Sequence, residues 1–177
     1  QPFNYYARFA PGTAERARHL KDGDDFLRDI AAGTLPQVSF YKPVGVLTQH
    51  PSYTDLISGD EHVDDLLTRL RNSPQWDKML VVVTYDENGG FWDHVAPPKG
   101  DRWGPGTRIP AIIVSPFAKK GYVDHTPYDT TSILRFITHR FGLPVLPGIA
   151  ARDAGIAAHG NPPLGDLSAA LNLPAAQ

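Results

Sequence analysis

The chain has 177 residues, enough for one domain with a fair core, and its formal net charge of −2, with no lysine or arginine run, gives no electrostatic case for nucleic acid. It has no cysteine, which excludes disulfides and thiolate metal ligands, and no apolar run of about 18 residues that could span a membrane. With 16 glycines and 17 prolines, loops and turns take up much of its length.

The opening Gln1-Pro2-Phe3-Asn4-Tyr5-Tyr6 is neither an initiator methionine nor a signal peptide and reads as the middle of a longer protein. Residues 1 to 23 are polar, with a short helix expected over Ala14 to Leu20. Asp24 or Asp25 can cap the next helix, in which Phe26, Leu27 and Ile30 share a face, and Gly33 stops it. Pro36 leads into a predicted strand at 37–41. Asp60 is the expected cap of a helix over 60–71, where Val63, Leu66, Leu67 and Leu70 fall at helical spacing.

Leu80 to Val83 is branched and apolar enough for a strand covered on both faces, and the spacing predicts strands at 80–85 and 111–115. Asp129 is expected to open a helix over 130–141, with Ile133, Phe136, Ile137 and Phe141 as its buried stripe and Arg135 and His139 lying away from it. The segment 142–177 holds five prolines, Pro144, Pro147, Pro162, Pro163 and Pro174, and is expected to be a loop-rich tail draped on the surface. Strand, helix, strand favours a right-handed parallel crossover. The predicted class is therefore α/β, a mostly parallel sheet flanked by the helices at 60–71 and 130–141, spanning residues 1–177 as one domain or as part of a larger one.

The richest stretch is Leu80 to Pro116, where an apolar run ends abruptly in Asp86-Glu87 and Asn88-Gly89-Gly90 turns the chain at once. Ligands of parallel α/β sheets bind at the carboxyl ends of strands. Two carboxylates at such an exit suit a metal site, and they equally suit a solvated turn, since Asp, Asn and Gly dominate turns. Phe91, Trp92 and His94 follow directly, and Pro97-Pro98 and Gly104-Pro105-Gly106 stiffen the long loop. Trp92, Trp103 and Tyr85 can wall a pocket or belong to the core. His94 can line that pocket, orient a metal ligand, or pair with Asp93 or a backbone carbonyl. Arg108, entering a strand ahead of Ile109-Pro110, calls for a carboxylate or carbonyl partner.

The strings TYDENGGFWDHVAPP, GPGTRIPAIIVSPFAKKGYVDHTPYDTTSILRFI and LPQVSFYKPVGVLTQHPSY resemble the C-terminal half of the bacterial phosphoesterase family of acid phosphatases and non-haemolytic-type phospholipases C. The resemblance runs from about residue 24 to about residue 153, and three separated motifs fall in the family's order. It implies an alkaline phosphatase-like three-layer domain, and a metal-dependent phosphoric ester hydrolase with Asp86 and Glu87 as metal ligands. His50 would then be the catalytic residue that donates to phosphate oxygens. The alternative for His50 is a loop histidine bonded to backbone. Carboxylate ligands point to Ca, Mg, Mn or Zn. The nucleophilic Ser or Thr is expected from a missing N-terminal half of the same protein, so the isolated chain is expected to be an inactive fragment. The resemblance also implies a phosphate ester substrate and a periplasmic or secreted location. The wording TYDENGG with GDRWGPGTR, and the short tail, stand closer to the acid phosphatases. Phospholipase C and a non-catalytic metal-binding fragment are the alternatives.

Overall fold

A computed structural model describes residues 2–173; Pro174, counted above with the tail, lies outside them. The chain divides into two compact units, Gln1–Asp77 and Lys78–Gln177.

The first unit is helical. Helix α1, Ala14–His19, starts at Thr13, whose hydroxyl accepts from the Arg16 amide. Helix α2, Gly23–Ala32, is capped by Asp22 rather than by either aspartate after it, with Asp25 returning a bond to the Asp22 amide to close a capping box. Helix α3, Leu56–Arg71, begins four residues ahead of the expected Asp60, because Asp55 accepts from the amide and hydroxyl of Ser58 and so satisfies the first turn. Its apolar stripe is as the spacing predicts: Val63, Leu66 and Leu67 are half-buried and Leu70 is buried. Ile30 of α2 and Leu70 of α3 form the buried centre of this unit.

The predicted strand at 37–41 is not formed. Pro36 and Pro43 bracket the segment, and a proline offers no amide to a ladder. Side chains hold it instead: Tyr41 stacks on Phe26 with ring centroids 4.8 Å apart, and its hydroxyl lies 3.0 Å from His62 Nε2.

The second unit carries the sheet. Strands β1, Val81–Thr84, and β2, Ala111–Val114, pair antiparallel, with Val81 opposite Val114 and Thr84 opposite Ala111. The expected parallel arrangement is thereby corrected for these two strands. A parallel return needs a crossover, usually helical, and residues 85–110 contain no helix. They form one long hairpin loop, closed at its base by Thr84 Oγ1 donating to the Pro110 carbonyl at 2.9 Å. The fold is thus mixed, helices with a small sheet.

Helix α4, Thr131–Arg140, is led by Asp129, which accepts from the Thr131 amide and hydroxyl. Arg135 does not turn away from the interior as expected: only 14 % of its side chain is exposed, and it forms a two-point ion pair with Asp153. The tail expectation also needs correction. Residues 147–158 form helix α5, Pro147–Ala158, with Pro147 at its first turn, where the missing amide costs nothing. Ile149 and Ile156, two turns apart, are buried. The chain beyond it is bonded to the body: the Gly165 amide donates to Pro127, the Asn172 amide to Phe117, and the Lys119 amide to Ala170. Leu167, Ala170 and Leu171 are buried there.

No helix among the described residues is long and apolar enough to cross a membrane.

Candidate functional site

The β1–β2 loop leaves the sheet at Asp86-Glu87, and both residues are exposed. The turn after them is built by side chains bonding to nearby amides. Glu87 Oε2 accepts from Gly89 at 2.7 Å, and Asn88 Oδ1 accepts from Gly90 at 2.9 Å. Gly89 and Gly90 have φ of 66° and 77°, a backbone that side chains other than glycine's rarely adopt. Glu87 therefore does serve the turn, and it does so from the exposed exit of the strand that it shares with Asp86.

Past the turn, Asn88, Phe91, Trp92, Asp93, His94 and Arg108 line an open recess of about 380 Å³, with Ile109 and Pro110 completing it. Three residues singled out from sequence, Trp92, His94 and Arg108, are brought together here. Two ties hold the walls. Asn88 Nδ2 donates to Thr107 Oγ1, and Arg108 grips Asp93 with Nε and Nη2, each at 2.8 Å, while its amide adds a third bond at 3.2 Å. The Arg108 guanidinium, with help from the Val95 amide, holds the Asp93 carboxyl far below the usual carboxylate range. His94 is exposed, and its Nδ1 lies 3.8 Å from Asp93.

Asp93, Asn88 and Thr107 were not nominated from sequence. The available signal was an aspartate beside a tryptophan and a histidine, followed by an arginine that needed a partner; only the folded hairpin joins the two.

His50 belongs to the first unit, in a loop before α3. Its Nδ1 lies 2.7 Å from the Pro51 carbonyl, its ring stacks on Tyr53 at 4.5 Å, and its own carbonyl accepts from the Thr54 amide and hydroxyl. A carbonyl can only accept, so Nδ1 carries the proton and Nε2 is the nitrogen left for a ligand.

Among the described residues no three His, Cys, Asp or Glu side chains gather closely enough to hold a metal ion. Asp86 and Glu87 offer oxygen donors of the kind a hard cation takes, and they make up part of a coordination sphere at most. A second recess, of about 530 Å³, lies among Arg135, His139, Leu143, Ile149, Asp153 and Asp166. Its charges are already paired, Arg135 with Asp153 and His139 with Asp166.

The sequence profile of the phosphoesterase family matches residues 1–144. The chain belongs to the phosphoesterase family. It is 33 % identical over 175 residues to phospholipase C B of Mycobacterium tuberculosis, covering 85 % of this chain and 32 % of that protein. It is 32 % identical over 181 residues to the non-hemolytic phospholipase C of Pseudomonas aeruginosa, covering 84 % of this chain and 25 % of that one. Against the non-hemolytic phospholipase C of Burkholderia pseudomallei the identity is 31 % over 206 residues, covering 96 % and 29 %. The chain thus spans about a quarter to a third of the length of these phosphoesterase relatives.

Proposed function

We propose that this sequence is part of a metal-dependent phosphoric ester hydrolase with an alkaline phosphatase-like three-layer α/β domain. The observation that carries the reading is the position of Asp86 and Glu87 at the exit of β1, beside a recess walled by Trp92, His94 and Arg108, in a chain of the phosphoesterase family. In this reading the two carboxylates contribute to a divalent cation, Ca, Mg, Mn or Zn. The remaining ligands and the Ser or Thr nucleophile come from residues N-terminal to this sequence. When bound, such a cation supplies positive charge to the phosphoryl oxygens.

With Nδ1–H already given to the Pro51 carbonyl, His50 donates from Nε2 to a phosphate oxygen in its doubly protonated form, the form in which both ring nitrogens carry hydrogen. The Pro51 carbonyl holds Nδ1 and so fixes which nitrogen faces outward. Donors held in place before charge develops act mainly on the transition state. Arg108 is engaged with Asp93 and shapes the recess rather than gripping phosphate.

The names of the relatives favour phospholipase C as the activity. The wording around TYDENGG and GDRWGPGTR keeps an acid phosphatase-like phosphomonoesterase as the second reading. The reading also carries export to the periplasm or the medium, which cell fractionation checks.

The test is hydrolysis of phosphatidylcholine and of p-nitrophenyl phosphate by the full-length protein, with metal content measured on the same preparations. Asp86→Ala is expected to lower metal content and turnover together, and His50→Ala to lower turnover with metal content kept. Full occupancy and an unchanged rate in Asp86→Ala would overturn the assignment.

A further inference from the structure

Helix α5 follows the residues that the family profile matches, yet it grips the loop that leads into the recess. Arg152, with 13 % of its side chain exposed, places Nε 3.4 Å from a carboxylate oxygen of Asp101 and 3.4 Å from one of Asp129. One turn on, Gly155 lies so close to the loop that a Cβ there would stand 2.9 Å from the Asp101 amide nitrogen. Gly100 is equally confined, since its Cβ would meet the Gly104 carbonyl at 2.4 Å and Ile156 Cδ1 at 3.2 Å. Beyond the helix, Asn161 Nδ2 donates to the Lys99 carbonyl at 2.6 Å. The 99–106 segment is therefore fastened to α5 at several points. It runs straight into Thr107 and Arg108, the residues that tie back to Asn88 and Asp93.

We propose that Arg152 and Gly155 are positioning residues: α5 sets the height and angle of the 99–106 loop, and through it the placement of Thr107 and Arg108 in the recess wall. Arg152 acts by charge rather than by aligned hydrogen bonds, for its Nε and Nη1 are buried and make none. Its grip bridges the loop, through Asp101, and the start of α4, through Asp129. Gly155 acts by sterics alone. Two residues working by different physics on one loop give two independent ways to move it.

The activity arm of the test rests on the phosphoesterase reading; the structural arm does not. In the full-length protein, Arg152→Met, Arg152→Lys and Gly155→Ala are compared with the parent by amide hydrogen exchange and by hydrolysis of phosphatidylcholine and of p-nitrophenyl phosphate. Exchange over 100–108 is expected to rise in Arg152→Met and Gly155→Ala by about tenfold more than exchange within α4 and β1–β2. Arg152→Lys, which keeps the charge, is expected to fall between. Turnover is expected to drop by up to about a hundredfold, in kcat more than in KM, as a displaced wall misplaces the reacting groups. An equal rise in exchange across 100–108, α4 and β1–β2 would assign Arg152 to the core and overturn the proposal. An unmoved loop in both Arg152→Met and Gly155→Ala would do the same. A parent that hydrolyses neither phosphatidylcholine nor p-nitrophenyl phosphate would sink the phosphoesterase reading, and the exchange pattern would still decide the positioning role.

Discussion

Arg108 and Arg152 each meet aspartate in the second unit, and they do so in opposite ways. Arg108 is 60 % exposed and bonded in two places on one edge of its guanidinium, Nε and Nη2, with its amide adding a third bond to Asp93. Arg152 is almost buried and sits between two carboxylates without a hydrogen bond from Nε or Nη1. The first arrangement fixes a direction, because bidentate bonds hold the planes of the two groups together. The second fixes a location, because attraction between charges in a poorly solvated site is strong but weakly directional. A recess wall needs the first and a scaffold beneath it the second.

The strongest way to break this contrast is to loosen the scaffold without touching any charge. Ile156→Ala removes a side chain 2 % exposed that packs toward Gly100, and is expected to destabilise by about 2–5 kcal/mol in denaturant unfolding. A cost within the range of surface substitutions would mean that α5 is not the support described.

At the other arrangement the expected effect is local. Arg108→Ala should raise the Asp93 carboxyl toward the ordinary range near pH 4 but not all the way, since the amides of Val95 and of residue 108 still donate to it; side-chain NMR titration reads the shift, while denaturant unfolding changes little. The pH dependence of the native pair has a definite sign. Asp93 titrates lower folded than unfolded, so its contribution to stability is present above the unfolded value, near pH 4, and is lost as pH falls through the depressed folded value. Protection of the Val95 and Arg108 amides relative to the free peptide at the same pH, both being bonded to this carboxylate, should therefore hold down to about pH 4 and weaken below it. Protection already lost at neutral pH would contradict the assignment.

The smallest effect is expected at Trp92, which is 87 % exposed. Trp92→Ala should leave stability within about 0.5 kcal/mol. Any loss of turnover in the full-length protein would then report on the recess, not on folding.

Much of this was legible in the residues themselves. The stripe of α3 shows in its helical spacing, and the two strands show as branched apolar runs with bounds close to those found. What sequence could not give was direction. Nothing in Val81–Thr84 states which way its neighbour runs, and the parallel expectation came from a strand at 37–41 that the chain does not form. Charge density misled in the same way at the helix starts: Asp22 and Asp55 cap where Asp24, Asp25 and Asp60 stand nearby, because capping depends on backbone dihedrals at one residue. The tail was misjudged because prolines were counted without regard to position. Pro147 opens a helix rather than breaking one. At the site, Trp92, His94 and Arg108 could be named individually, but their meeting depends on Asp93 and on a loop anchored from α5.

The hairpin closure bears on how such a site can diversify. Both walls of the recess hang between strands that pair with each other and are pinned at the base by Thr84 and Pro110. The entropy of closing a loop grows only with the logarithm of its length, about 0.6 kcal/mol for each doubling. Insertions or deletions between residues 95 and 99, which join the Asp93 wall to the Arg108 wall, would therefore cost the sheet little while changing how the two walls are spaced.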